Sequence, residues 1–137
     1  MDYEILEHTA DVRIRVYGSS LGELFENAAR AMIALITDVD KINPLHQIEI
    51  KVNGETVDEL LVRWLQEILY IHEVKKLVFK NFKLNKIDET HVKGKAFGEK
   101  INLEKHELYS DIKAVTYHNL KIETINDKLK VDIVFDI

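Results

Sequence analysis

Residues 11–36, DVRIRVYGSSLGELFENAARAMIALI, contain a change of hydrophobic period that decides the fold class. Val12, Ile14 and Val16 alternate with Asp11, Arg13, Arg15 and Tyr17. That period of two predicts a strand buried on one face, closed by Gly18. Ser20 and Glu23 then stand at capping-box spacing, the serine serving free amides of a helix start and the glutamate reaching back. Leu21, Leu24, Phe25, Ala28, Met32, Leu35 and Ile36 follow at helical spacing, which predicts a helix with one buried face. The unit is expected to end at Asn43-Pro44, because proline disfavours helix at the residue before it.

The same order recurs downstream. Ile48, Ile50 and Val52 alternate with polar residues up to Asn53-Gly54. Thr56 and Glu59 form a second capping pair, and Val57, Leu60, Leu61, Trp64, Leu65, Ile68 and Leu69 mark a long amphipathic helix running to His72 or beyond. After Lys76 the pattern is extended, with strands expected over 77–84, 92–97, 112–117, 120–125 and 129–137. Asn126-Asp127 predicts a tight hairpin turn between the last two. Helices confined to the first half, followed by consecutive strands, predict an α+β fold with two amphipathic helices on mostly antiparallel sheet.

The 137 residues suit one domain, or one with a small module inserted into it. Hydrophobic residues make up 46%, enough for a real core, and 31% are charged. Without cysteine there is neither a disulfide nor a thiolate zinc site. No apolar run reaches the roughly 18 residues of a spanning helix, and Met1-Asp2-Tyr3-Glu4 lacks the basic start of a signal peptide. No membrane association and a cytoplasmic address are the expectation. A net charge of −5 argues against bulk electrostatic binding to nucleic acid, while leaving open attraction to a basic, RNA-handling protein.

The chain has no phosphate-cradling Gly-rich loop, no HExxH, no EF-hand loop and no GxSxG nucleophile turn. Three polar clusters remain. His8-Thr9-Ala10-Asp11 leads into the first strand; such a cluster can hold a hard cation through oxygen, and its simpler reading is a turn. At the other end, Leu129, Val131, Ile133, Phe135 and Ile137 share one strand face while Asp132, Val134 and Asp136 share the other. There the Asp136 carboxylate and the α-carboxylate of Ile137 come within a few ångströms, and adjacent anions repel unless a cation lies between them. The simpler reading is a solvated chain end. Lys113-Ala114-Val115-Thr116-Tyr117-His118 offers a lysine and a histidine near a strand that could steer phosphate or poise a proton; such residues are more often simply the polar face of a half-exposed strand. His106 and Glu107 fall in the polar connection before it. His46, His72 and His91 read as surface residues or strand flanks, and Trp64 and Tyr70 as packing.

Taken in order, EHTADVRIRVYG (7–18), LGELFENAARAM (21–32), DELLVRWLQEILY (58–70), the block from GEKINLEKHEL to KAVTYHNL (98–120) and the closing VFDI (134–137) resemble the archease family. Family members often carry glycine where this chain has Arg13. The resemblance implies an SHS2-like strand-helix-strand-strand core with a second, related module inserted at roughly 45–100. It further implies a protein that activates the GTP- and metal-dependent tRNA-splicing RNA ligase, promoting its guanylylation and multiple turnover, without itself being an enzyme. RNA would be engaged only indirectly. By position, the family's metal ligands fall on Asp11, Asp136 and the terminal carboxylate of Ile137. This all-oxygen set suits a divalent cation, Ca²⁺ first and Mg²⁺ or Mn²⁺ as alternatives. Lys113 is the residue expected to act with those acids at the ligase. The competing expectation is a small metal-dependent phosphoester hydrolase using the same carboxylates.

Overall fold

A computed structural model describes residues 11–137. Strand β1 (Asp11–Gly18) leads into helix α1 (Leu21–Ile36), and a single 3-10 turn (Val39–Lys41) precedes β2 (His46–Asn53). Helix α2 (Val57–Lys75) is followed by β3 (Leu77–Ile87), β4 (His91–Lys100), β5 (Ala114–Val115), β6 (Glu123–Ile125) and β7 (Lys128–Asp136). All described strand pairings are antiparallel. The fold is α+β, as expected.

Both helices start on the expected caps. Ser20 Oγ accepts from the Glu23 amide at 3.1 Å, and Glu23 Oε1 accepts from the Ser19 amide at 2.8 Å. Thr56 and Glu59 repeat the arrangement, at 3.1 Å and, through the Glu55 amide, 2.8 Å. In each case the glutamate reaches one residue beyond the cap, fixing the incoming chain as well as the helix end. Helix α1 ends at Ile36, seven residues before Asn43, and is capped by Thr37, whose Oγ1 donates to the Glu107 carbonyl at 2.6 Å. Helix α2 ends on Lys76, in the left-handed conformation with φ 56°. Asn126 and Asp127 both have positive φ, as a two-residue hairpin turn twisted to match its strands demands.

Two sheets result. β1 pairs along its whole length with β7, bringing both ends of the described chain together, and β5 and β6 share the other edge of β7. The middle of the chain builds a separate sheet in the order β2-β4-β3. Helix α1 packs against β1 and β3, and α2 against β2, β3, β4 and β5, so the helices tie the two sheets together. Trp64 lies at the centre, fully buried between Phe25 and Phe82, with its Nε1 donating to the Phe25 carbonyl at 3.1 Å. That bond satisfies the one polar atom the indole brings into the core. Tyr70 departs from the packing expectation: it is 61% exposed, on the edge of α2 beside β2.

Candidate functional site

The alternation that buries Val131, Ile133 and Phe135 turns Asp132 and Asp136 onto the outer face of β7. In the register with β1, Asp11 stands directly opposite Asp136 and Arg15 opposite Asp132. Directly opposed residues share a face, with Cβ atoms about 4.5–5.5 Å apart. One of these pairs is matched: the Arg15 guanidinium donates twice to Asp132, from Nε at 2.7 Å and from Nη2 at 3.0 Å. The Arg15 hydrogen bond and charge hold the Asp132 carboxyl below its ordinary value, with a smaller pull from Arg13. The other pair sets two exposed carboxylates against each other, and neither forms an ion pair with another described residue.

The remaining expected residues cluster at the same end of the sheet. Ala114 opposes Asp136 from the other side, and the Lys113 amide donates to the Asp136 carbonyl at 2.7 Å. Lys113 is exposed and lines a groove of about 230 Å³ together with Gln66, Leu69, Tyr70 and Glu73 of α2. Ile137 follows Asp136 with its side chain half-buried on the core, so the chain end is packed where Asp136 is presented. His118 is exposed five residues past Lys113, its amide donating to Thr116 Oγ1 at 3.2 Å. His8, Thr9 and Ala10 lie outside the described residues.

The two opposed carboxylates form an acidic, oxygen-only donor set, with the backbone-anchored Lys113 beside them. Such a donor set fits a hard divalent cation, which relieves the repulsion, and it fits a cationic side chain of a partner for the same reason. Among the described residues no three His, Cys, Asp or Glu side chains converge, so a chelate here needs a donor beyond Asp11 and Asp136. A larger cavity, about 690 Å³, lies elsewhere, between α2 and β2. No described helix is long and apolar enough to cross a membrane.

A second polar cluster escaped the sequence reading. His106, expected in a polar connection, is completely buried. Its Nδ1 accepts from the Asn102 amide at 3.0 Å, so the proton sits on Nε2, which donates to Glu99 at 3.0 Å. Glu99 also accepts from Lys105 Nζ at 2.6 Å and from the Asn43 amide at 2.7 Å. Burial alone would raise the Glu99 carboxyl, but these three donors outweigh it and bring its pKa down to about 2. The cluster pins the irregular segment after β4 to the segment before β2. No local spacing announces it, since Asn43, Glu99 and His106 meet only through tertiary structure.

Residues 3–137 match the model of the Archease protein family (MTH1598/TM1083). The chain is 45% identical over 129 residues to Protein archease of Pyrococcus furiosus, covering 91% of this chain and 90% of that one. It is 41% identical to Protein archease of Sulfurisphaera tokodaii, with 98% of each covered. The solution structure of Methanobacterium thermoautotrophicum protein 1598 superposes with a TM-score of 0.77 at 31% identity, over 98% of this chain and 96% of that one. The crystal structure of an archease from Thermotoga maritima, described as a possible chaperone, superposes with a TM-score of 0.70 at 25% identity, over 100% and 98%. With the family's sequence pattern matched almost end to end and its fold reproduced, the chain belongs to the archease family.

Proposed function

We propose that this protein is a metal-binding cofactor of the GTP-dependent tRNA-splicing RNA ligase, promoting ligase guanylylation and multiple turnover. The opposition of Asp11 and Asp136 at an exposed sheet end carries this reading, because it leaves two negative charges with no described partner on the molecule itself. Asp11 and Asp136, with the terminal carboxylate of Ile137 as third donor, would hold the divalent cation, Ca²⁺ first and Mg²⁺ or Mn²⁺ as alternatives. The cation would supply positive charge at the contact with the ligase. The chain's own residues present the acidic tip, and Lys113 at its flank would reach an acidic or phosphate group of the partner complex. Activation then requires the tip to bind one ligase conformation more tightly than another.

The architecture belongs to the same reading. One module inserted into another accounts for the pairing of β1 with β7 across the separate β2-β4-β3 sheet. The test is ligation by the cognate ligase under single- and multiple-turnover conditions, with and without this protein and its Asp11→Ala and Asp136→Ala variants. Stimulation of turnover that both variants lose supports the proposal. Hydrolysis of phosphoesters by the purified protein with Mn²⁺, lost in the same variants, would replace it with a hydrolase.

A further inference from the structure

The β2-β4-β3 sheet has two outer edges, and the chain treats them differently. The β3 edge is interrupted by register shifts at Phe79/Asn81 and Leu84/Lys86, and the Glu26 carboxylate takes up the Leu84 amide at 2.9 Å. Bulges and side-chain caps of this kind blunt an edge against further pairing. The β2 edge has neither. Its eight residues pair with β4 in one unbroken register, from His46 opposite Gly98 to Asn53 opposite His91, and among the described residues no strand covers its other side.

The register also shows which groups that open edge presents. Beyond Asn53 the ladder continues with the Gly54 amide donating to the Thr90 carbonyl at 2.9 Å, which makes Gly54/Thr90 a hydrogen-bonded pair. Such pairs alternate, so His46, Ile48, Ile50 and Val52 spend their backbone groups on β4. Gln47, Glu49, Lys51 and Asn53 direct theirs outward.

We propose that this edge pairs antiparallel with the same edge of a second copy, about a two-fold axis at Ile50. In that register Glu49 lies opposite Lys51 of the second copy, and Lys51 opposite its Glu49. All four outward-facing residues then fall in hydrogen-bonding pairs. Moving the axis to Glu49 or Lys51 sets like charges against each other, and a shift by half that step places outward groups against spent ones. The half-buried Ile48 and Val52 meet each other's counterparts on the inner face. Exposed Tyr70 (61%) and Val74 (58%), one turn apart on α2, stand beside this edge, Tyr70 near Lys51–Asn53 and Val74 near His46–Ile48. The two-fold brings both copies of that apolar pair toward the axis. The open edge supplies hydrogen bonds, Glu49 and Lys51 supply register, and the α2 stripe supplies apolar burial.

Sedimentation or light scattering across a concentration series tests this. Wild type should reach twice the chain mass. Lys51→Glu and Glu49→Lys, each of which puts two like-charged pairs across the axis, should weaken self-association by about tenfold or more. Glu49→Lys also moves a cation toward Lys93, which lies 3.6 Å from Glu49, so it could fail through folding alone. Mixing the two single variants restores Glu–Lys opposition on both sides of the axis and should restore the dimer as a heterodimer. The double variant, with both charges exchanged, should self-associate like wild type. A wild type that stays monomeric to its solubility limit overturns the proposal. So does a dimer indifferent to both single variants, or one that the mixture fails to restore.

Discussion

Asp11 and Asp136 face each other across the end of the β1–β7 ladder, four residues along each strand from the matched Arg15–Asp132 pair, with Arg13 and Val134 between them on the same face. Like charges directly opposite on a sheet destabilise it, so the fold would gain by losing one of them. Asp11→Asn and Asp136→Asn are therefore expected to raise Tm by about 1–2 °C in chelator. Both should abolish any Ca²⁺-dependent rise in Tm and the stimulation of the ligase. Thermal melts with and without Ca²⁺ check this, and a loss of stability in chelator would mean that the acids are structural.

Lys113 contributes to the fold through its amide, which donates to Asp136, while its side chain is exposed. Lys113→Met keeps the amide and removes only the charge. Tm should stay within about 1–2 °C of wild type. Multiple-turnover ligation should fall about 10- to 100-fold, the range for losing a hydrogen bond to a charged group. Lys113→Arg should recover part of the loss, which a purely structural role would not predict.

The Glu99 cluster gives a pH dependence. The folded pKa is about 2, against an ordinary value of 4.5, so in between the unfolded chain binds the proton more readily. Stability from Glu99 is therefore fully present above about pH 5 and is lost as pH falls toward 2. Glu99→Gln should cost about 1–3 kcal/mol at neutral pH by removing a charged acceptor of three hydrogen bonds. The gap between wild type and variant should close on acidification, as read by urea unfolding at a series of pH values.

The first half of the fold was legible because each element buries one face only. The step from period two to helical spacing at Gly18-Ser19-Ser20 has no competing interpretation. The later strands were less so. Residues 112–117 and 120–125 carry strand-like apolar residues, yet only Ala114–Val115 and Glu123–Ile125 pair, because both must share one edge of β7 with a turn between them. Ile112 is buried without belonging to a strand. Tyr70 lies near the apolar stripe of α2, but beyond the edge of the sheet that would cover it. Asp11 and Asp136 each stood out in the sequence. Their opposition depends on a register between strands at opposite ends of the chain, which no local pattern fixes.

Two glycines should respond to alanine in opposite directions. Gly98 sits in the central strand β4, and a Cβ there would run into the Val78 carbonyl oxygen and lie 2.8 Å from the Phe79 Cα. Both neighbours are backbone atoms of β3, so relief requires the two strands to part at the register shift beside Phe79. Gly98→Ala should cost about 1–3 kcal/mol, as overpacked sites do. Gly22, in the first turn of α1, would place its Cβ 3.8 Å from Leu84 Cδ1 and 3.9 Å from Ile87 Cγ2, which is ordinary contact. Gly22→Ala should stabilise by about 0.4–1 kcal/mol, since alanine restricts the unfolded chain and the helix accepts it. Chemical denaturation of both variants checks the pair. A destabilised Gly22→Ala would show that α1 and β3 approach more closely than these distances allow, and a neutral Gly98→Ala would show that β3 can move off β4 without cost.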